Sequence, residues 1–276
     1  MPFIIAATDF SDVAENAIHY ACKLALTQNA QVNLIHSFIV PVMFSDIPMP
    51  ASLINDAQDD AESQMTKLVE EMSASYPLLT IAGKVIYGDT VNAIEEYTEE
   101  YDDPWMVVVG NSIASETATW PDSTLIDAFK HLKYPVLAVP PAASFDPVRK
   151  ICFAFDNKHN GNDKALKQLA AISQNINAEL HVLNAQPDVH NQDNNMDFDE
   201  HAKTLLASVD PHYHLVYEVA DINQAIEQFI EQNNMDWLIM IPRKHSFFEG
   251  LFHKSHTRSV AHHSHIPILA LHETKE

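Results

Sequence analysis

Two short stretches decide the fold: Phe3-Ile4-Ile5-Ala6-Ala7-Thr8-Asp9 near the start, and Lys150-Ile151-Cys152-Phe153-Ala154-Phe155-Asp156, which lies 147 positions later. Each is an apolar run that ends in an aspartate, and such a run is typical of a strand covered on both faces of a parallel sheet. Helical periodicity follows each run, and Ser11 stands at a plausible N-cap of the first helix. The chain is therefore predicted to contain two copies of one strand-helix unit.

The repetition continues at a constant offset of 132 in the later elements, which we match as Gly88-Asp89 with Ala220-Asp221, Trp105 with Trp237, Ser123 with Ser255, and Pro135 with Pro267. A chain of 276 residues is long enough for two compact cores. Alternating strands and helices in each half predict two doubly wound, five-stranded parallel sheets of the Rossmann-like class. We place the domains at residues 1–141 and 148–276, with a proline-flanked linker at 142–147.

The second copy is shorter by about 15 residues between its second and third strands. In the first copy this stretch contains Pro41, Pro48 and Pro50, which break regular structure. We expect it to be a flexible excursion that leads into an acidic helix near Asp56 to Ser75, rather than a third domain.

Net charge argues against binding to nucleic acid or to anionic lipid, because the formal charge is −22. Residues 1–146 carry 5 basic and 21 acidic side chains, and residues 147–276 carry 11 and 17, so the halves have −16 and −6. No apolar run is long enough for a membrane helix, and the first residues lack the features of a signal peptide. We expect a cytoplasmic protein whose two cysteines, Cys22 and Cys152, are buried thiols.

Several of these segments together resemble the universal stress proteins: Ala7-Thr8-Asp9-Phe10-Ser11, Leu34-Ile35-His36, Gly88-Asp89, Val107-Val108-Val109-Gly110 and Pro135-Val136-Leu137-Ala138-Val139. The resemblance covers nearly the whole chain. It implies the adenine nucleotide alpha hydrolase-like fold, pairing of domains through their fifth strands, and ATP binding in some members. Two copies in one chain would form an intramolecular version of the family dimer, and a homodimer of tandem chains or a protein partner remains open.

The resemblance also implies where a nucleotide would bind in the first half, namely at Thr8, Asp9, Ser11, Gly110, Asn111, Ser123 and Thr124. The family's ATP-binding pattern needs three glycines, because glycine lets the backbone approach phosphate closely. Only Gly110 matches, since Ile113 stands at the second glycine and Ser123-Thr124 at the last pair. Glu116 and Asp122 add negative charge nearby, so triphosphate binding is disfavoured. The alternative is that these loops only connect a strand to a helix, with Asp9 beside the N-cap.

In the second half the pattern is weaker still, because we align Pro242 and His245 with the first two glycines. The candidate residues there are Asp156, Arg243, Lys244, Lys254 and Ser255. The basic side chains predict either a local anion site or neutralisation of the acidic first half.

Histidines are concentrated in the second half, which has 13 of the 16. His262-His263-Ser264-His265 suggests zinc, but adjacent helix positions diverge by about 100° and no further ligand has suitable spacing, so we expect no metal. Protonation below about pH 6 is the alternative role, and we hypothesise that domain pairing or partner binding depends on it.

Three function classes remain. The first is a stress-response regulatory or interaction protein with degenerate pockets and no cofactor. The second is an ATP-binding sensor or very slow ATPase, which uses the first pocket with ATP or another adenine nucleotide. The third is an enzyme, which we do not expect because no nucleophile with an adjacent base, no catalytic carboxylate pair and no Walker-type loop is present.

Overall fold

The structure, a computed structural model, describes residues 1–39, 51–111, 122–155, 163–185, 200–217, 221–242 and 266–272, with backbone only at 51–53, 122–124 and 126. Strands of the first half are β1 (Phe3–Thr8), β2 (Gln31–Phe38), β3 (Ile81–Tyr87), β4 (Met106–Gly110) and β5 (Val136–Val139). Those of the second half are β6 (Lys150–Ala154), β7 (Glu179–Ala185), β8 (His212–Val216), β9 (Trp237–Met240) and β10 (Ile268–Ala270).

Helices alternate with these strands. The first half contains α1 (Asp12–Gln28), α2 (Ala51–Ser75), α3 (Thr90–Glu100) and α4 (Asp122–His131). The second half contains α5 (Asp163–Ile176), α6 (Glu200–Leu206), a short 3-10 turn (Ala207–Val209) and α7 (Ile222–Asn233). The acidic helix thus begins at Ala51, earlier than predicted, while the excursion at 41–50 and residues 243–265 between β9 and β10 lie outside the described residues.

The ten strands of the described residues form one sheet in the order β3-β2-β1-β4-β5-β10-β9-β6-β7-β8. Neighbouring strands are parallel within each half, as predicted. The halves meet through β5 and β10, which pair antiparallel with Leu137 opposite Leu269. The fifth strands therefore pair inside one chain, and the predicted pseudo-dimer is confirmed.

The core lies on both faces of this sheet, because alternate strand residues point to opposite sides. Ile4 and Ala6 belong to one apolar cluster, whereas Phe3 and Ile5 belong to the other. The first of these clusters extends across both halves and includes the buried faces of α1 and α5. The two halves thus share one continuous core.

Helix caps bear out part of the predicted repeat. Ser11 Oγ accepts a hydrogen bond from Ala14 N at 3.3 Å at the start of α1. Asp89 and Asp221, which are 132 positions apart, cap α3 and α7 in the same way. Each such cap is worth about 1 kcal/mol.

The match of Trp105 with Trp237 is wrong by one residue. Ile4 pairs with Met106 in the first half, and its counterpart Ile151 pairs with Trp237. Trp237 therefore takes the place of Met106, and the two tryptophans do not occupy corresponding positions. Both apolar runs begin with tryptophan, but hydrogen bonding sets the register of a strand.

Hydrogen bonds attach both the linker and the segment after β10 to helices of the first half. Asn16 Nδ2 donates to Pro140 O and to Ala143 O, each at 3.0 Å. In the second half His272 Nε2 bonds Phe129 O at 2.6 Å, so the segment that follows β10 is tied to α4 of the first half. The segment after β5 thus lies outside the strands, as its prolines predict, and is held by side chains of the first half.

The two cysteines are buried and unpaired, as expected. Burial raises the pKa of the Cys22 thiol to about 12 and also raises that of Cys152. Neither thiolate is populated near neutral pH, so both behave as small apolar side chains.

Candidate nucleotide pocket

The candidate pocket of the first half lies at the carboxyl ends of β1 and β4, which are neighbours in the sheet. The chain leaves β1 towards β2 on one side and leaves β4 towards β5 on the other. Such a switch point opens a crevice, and ligands of doubly wound sheets bind there. Of the predicted site residues, Thr8 and Gly110 end these two strands, and Asp9 and Asn111 directly follow them.

The turn after β1 brings Thr8, Asp9 and Ser11 together. Thr8 is buried, and its Oγ1 accepts from Phe10 N at 3.0 Å. Asp9 Oδ1 accepts from Ser11 N at 3.0 Å and from Ser11 Oγ at 2.5 Å. Asp9 and Ser11 therefore already make the hydrogen bonds that form the turn and start α1.

Gly110 ends β4 directly beside the first turn of α1. A Cβ on Gly110 would lie 3.0 Å from both Val13 Cγ1 and Val13 O, which is closer than side chains normally approach. Close packing of the helix against the strand thus favours glycine here. Asn111, the next residue, is fully buried, and its backbone N donates to Val139 O at 2.8 Å.

Ser123 and Thr124 lie in the first turn of α4, which begins at Asp122. A helix N-terminus is the part of a protein that commonly holds phosphate. The loop that would complete such a site, with Ile113 and Glu116, lies outside the described residues.

Phe10 and His36 line this edge of the sheet, although neither was among the predicted site residues. Their rings lie 4.3 Å apart, and His36 Nδ1 bonds Thr8 O at 2.8 Å. Burial lowers the pKa of His36 below its ordinary 6.5. Phe10 has φ of 62°, a left-handed conformation that bulky residues rarely adopt. The sequence signal that could have found His36 is its position opposite Thr8 at the end of a neighbouring strand.

In the second half, the position of Gly110 is held by Ile241 and that of Asn111 by Pro242, because of the one-residue shift in β9. The predicted replacement of the first glycine by Pro242 is therefore corrected to Ile241. Asn184 occupies the place of His36, and it is 3% exposed. The other predicted residues of this half, Asp156, Arg243, Lys244, Lys254 and Ser255, lie outside the described residues.

The described residues offer neither a metal-binding cluster nor a membrane-spanning helix. No three of their His, Cys, Asp and Glu side chains are placed to hold a metal ion. His262, His263 and His265 lie outside the described part of the chain. None of the described helices combines the length and the apolar character that a bilayer span requires.

One known protein family matches the chain in two separate segments. The model of the family Usp, "Universal stress protein family", matches residues 3–140 and again residues 147–272. The chain belongs to the universal stress protein family. It is a tandem member, because the family model matches each half separately. A search of curated proteins gives no significant match.

Solved universal stress proteins share this tandem fold. A universal stress protein from Archaeoglobus fulgidus DSM 4304 is 16% identical with a TM-score of 0.69, and the match covers 98% of each chain. A putative universal stress protein from Pseudomonas aeruginosa UCBPP-PA14 is 15% identical with a TM-score of 0.51, and the match covers 99% of this chain and 93% of that one. At such identities the likeness concerns the fold alone.

Proposed function

We propose that this tandem universal stress protein is a cytoplasmic, stress-response regulatory or interaction protein whose nucleotide pockets are degenerate and bind ATP weakly or not at all. The observation that carries the proposal is the packing of Gly110 on Val13. Gly110 is the one residue of the three-glycine pattern that the chain keeps, and its contact with α1 accounts for it without a ligand. Ile241 at the corresponding position of the second half has a side chain where that glycine would be.

Contacts at the end of β1 support the same proposal. Asp9, which would meet adenine by the family resemblance, accepts two hydrogen bonds from Ser11. His36 is bonded to Thr8 O and packed on Phe10, so the side chains at this edge interact with one another. A base would have to displace or rearrange these contacts, and the free energy of that rearrangement would lower its affinity.

Ser123 and Thr124 in the first turn of α4 favour the second candidate, an ATP-binding sensor or very slow ATPase. Two hydroxyl groups at a helix N-terminus could bind phosphate in place of the absent glycines. Asp122 begins the same helix, and a negative charge at that position would weaken the binding of a polyphosphate by about 1 kcal/mol or more. We therefore rank this candidate second and an enzymatic role below it.

The test is nucleotide retention by the purified full chain. The protein is denatured, and the supernatant is analysed for ATP, ADP and AMP beside an Ile113→Gly variant, which returns the second glycine of the pattern. We expect the wild-type chain to release no stoichiometric nucleotide. One nucleotide per wild-type chain, or steady phosphate release that Asp9→Ala abolishes, would move the conclusion to the second candidate or to an enzyme.

A further inference from the structure

Three histidines are grouped on one face of β7 and β8, at the outer edge of the second half. His181 Nδ1 lies 3.0 Å from His214 Nε2, and their rings are stacked with centroids 5.2 Å apart. The His212 ring centroid is 5.0 Å from that of His181. This group lies far along the sheet from β10 and from the candidate pocket of the first half.

The close approach of His181 and His214 needs one hydrogen between the facing nitrogens. One ring must donate it, and the other must accept it with a lone pair. A first additional proton is tolerated, because an imidazolium can donate to a neutral imidazole. A second one places N–H groups on both facing nitrogens, and the hydrogen bond is then replaced by repulsion between two cations.

The surroundings make the second proton costly. His181 is 9% exposed, and the His214 ring packs on Phe229 of α7 at 4.7 Å. Burial lowers the pKa of His181 and of His214, and the neighbouring His212 lowers both further. Glu179 is the opposing influence, with Oε2 at 3.6 Å from His181 Nε2, where it favours a single proton.

The elements packed on the pair present mainly neutral groups to it. Cys152 of β6 pairs with His181, and burial keeps its thiol protonated by raising its pKa. From α7 the buried face contributes Ile226, Phe229 and Ile230, while Glu227 and Glu231 occupy partly or fully exposed positions. The protonation of the pair is therefore governed by Glu179, by His212 and by the burial of the rings.

The first half has a different arrangement at the corresponding place. Ile35 pairs with Lys84, as Leu183 pairs with His214, and Tyr97 corresponds to Phe229. Lys84 Nζ bonds Glu100 at 2.8 Å and lies 5.5 Å from the Tyr97 ring centroid. Its charge is constant in the pH range where imidazole titrates. The edge strand β3 thus carries a lysine with a constant charge, whereas the edge strand β8 carries a histidine whose hydrogen bond depends on protonation.

We propose that His181 and His214 form an acid-sensitive lock, in which the proton between their facing nitrogens fastens the edge strand β8 to β7 and beneath α7, and a second proton releases it. Among the described strands β8 lies at the end of the sheet, and β7 is the strand it pairs with there. Its release exposes the edge of β7 and part of the buried face of α7. Acidification would therefore expose a surface of the second half that is covered near neutral pH.

The experiment is amide hydrogen exchange of the full chain at pH 7.5 and pH 5.5, with exchange times corrected for the intrinsic rate at each pH. An imidazole that stays neutral in the closed state takes up a proton when β8 opens, because its pKa in the opened state is near 6.5. The equilibrium constant for opening therefore rises by up to about tenfold per imidazole between pH 7.5 and pH 5.5. We expect β8 to lose about tenfold more protection than β3 of the same molecule, which serves as the internal control.

Two variants remove the pair independently, and a third is the matched control. His181→Asn introduces the residue that Asn33 provides at the corresponding position of β2, and His214→Gln introduces an amide that does not titrate. Either variant should abolish the additional loss at β8, whereas His131→Gln, on an exposed position of α4, should leave it unchanged. Equal loss in β8 and β3 of the wild-type chain, or the same additional loss in a folded pair variant, would overturn the proposal.

Discussion

The indole Nε1 of Trp237 donates to the hydroxyl of Tyr20 at 2.6 Å, and this buried hydrogen bond joins β9 of the second half to α1 of the first. Tyr20 also meets Phe145 of the linker edge-on, at 5.0 Å between ring centroids. The equivalent positions of the two halves do not form a second copy of the contact between Tyr20 and Trp237. Matching the buried positions of α1 and α5 places Gln168 where Tyr20 stands, and the strand register places Met106 where Trp237 stands. The two halves are therefore not interchangeable at their contact.

Removing one partner of this hydrogen bond should destabilise the chain. Trp237→Phe leaves the Tyr20 hydroxyl without its buried donor, and we expect a loss of about 1–3 kcal/mol in the free energy of unfolding. Tyr20→Phe should have a similar cost, and the double variant should cost less than the sum of both. Urea unfolding measures all three. Additive losses would contradict a direct bond between the two side chains, and Trp105→Phe controls for the loss of an indole elsewhere.

Gly110 should not tolerate a side chain, even in the absence of any nucleotide. Gly110→Ala should lower the free energy of unfolding by about 1–3 kcal/mol, because its Cβ would press on Val13. Val13→Ala in the same chain should relieve only the Cγ1 contact, since the Val13 carbonyl stays at 3.0 Å. Calorimetry of the single and double variants tests this. A neutral Gly110→Ala would show that the glycine is not needed for packing.

Asn16 should hold the linker against α1. Asn16→Ala removes the donors of two carbonyls, Pro140 O and Ala143 O, so the linker should be cleaved faster in limited proteolysis. Lys23→Ala, at an exposed position of the same helix, is the control and should leave the cleavage rate unchanged. Equal cleavage of all three proteins would mean that the linker is held by other contacts.

His272 should make stability depend on pH. Burial lowers its pKa in the folded protein, so the unfolded chain takes up the proton first as pH falls below about 6.5. The contribution of His272 is thus present above that pH and is lost below it, by up to about 1.4 kcal/mol per pH unit. His272→Gln keeps a donor for Phe129 O but does not titrate. Urea midpoints at pH 7.5 and 5.5 should differ less in this variant than in the wild-type chain, and an unchanged difference would assign the effect to other groups.

Sequence patterns predict most of the fold, because buried strands, N-caps and repeat spacing are local signals. The pairing of β5 with β10 followed from the family resemblance, and Asp89 and Asp221 cap matching helices. The alignment of Trp105 with Trp237 failed because identical letters do not fix a strand register.

The contacts made by Tyr20 and by the histidine pair, and the left-handed turn at Phe10, could not be read from the sequence. Tyr20 and Trp237 are 217 positions apart, and their meeting depends on how α1 packs beside the second half. His181 and His214 meet only because Leu183 pairs with His214, which no periodicity specifies. The left-handed turn at Phe10 is held by Thr8 and His36, and a bulky residue there gives no sign of positive φ.

Isothermal titration of ATP into the full chain is the most direct test of the central claim that the pockets are degenerate. The account predicts no saturable heat with a dissociation constant below about 10 μM, or about −7 kcal/mol, for ATP, ADP or AMP. Ile113→Gly, which returns one glycine of the pattern, should bind ATP no more weakly than the wild-type chain. Saturable binding of ATP by the wild-type chain below about 10 μM would contradict the account.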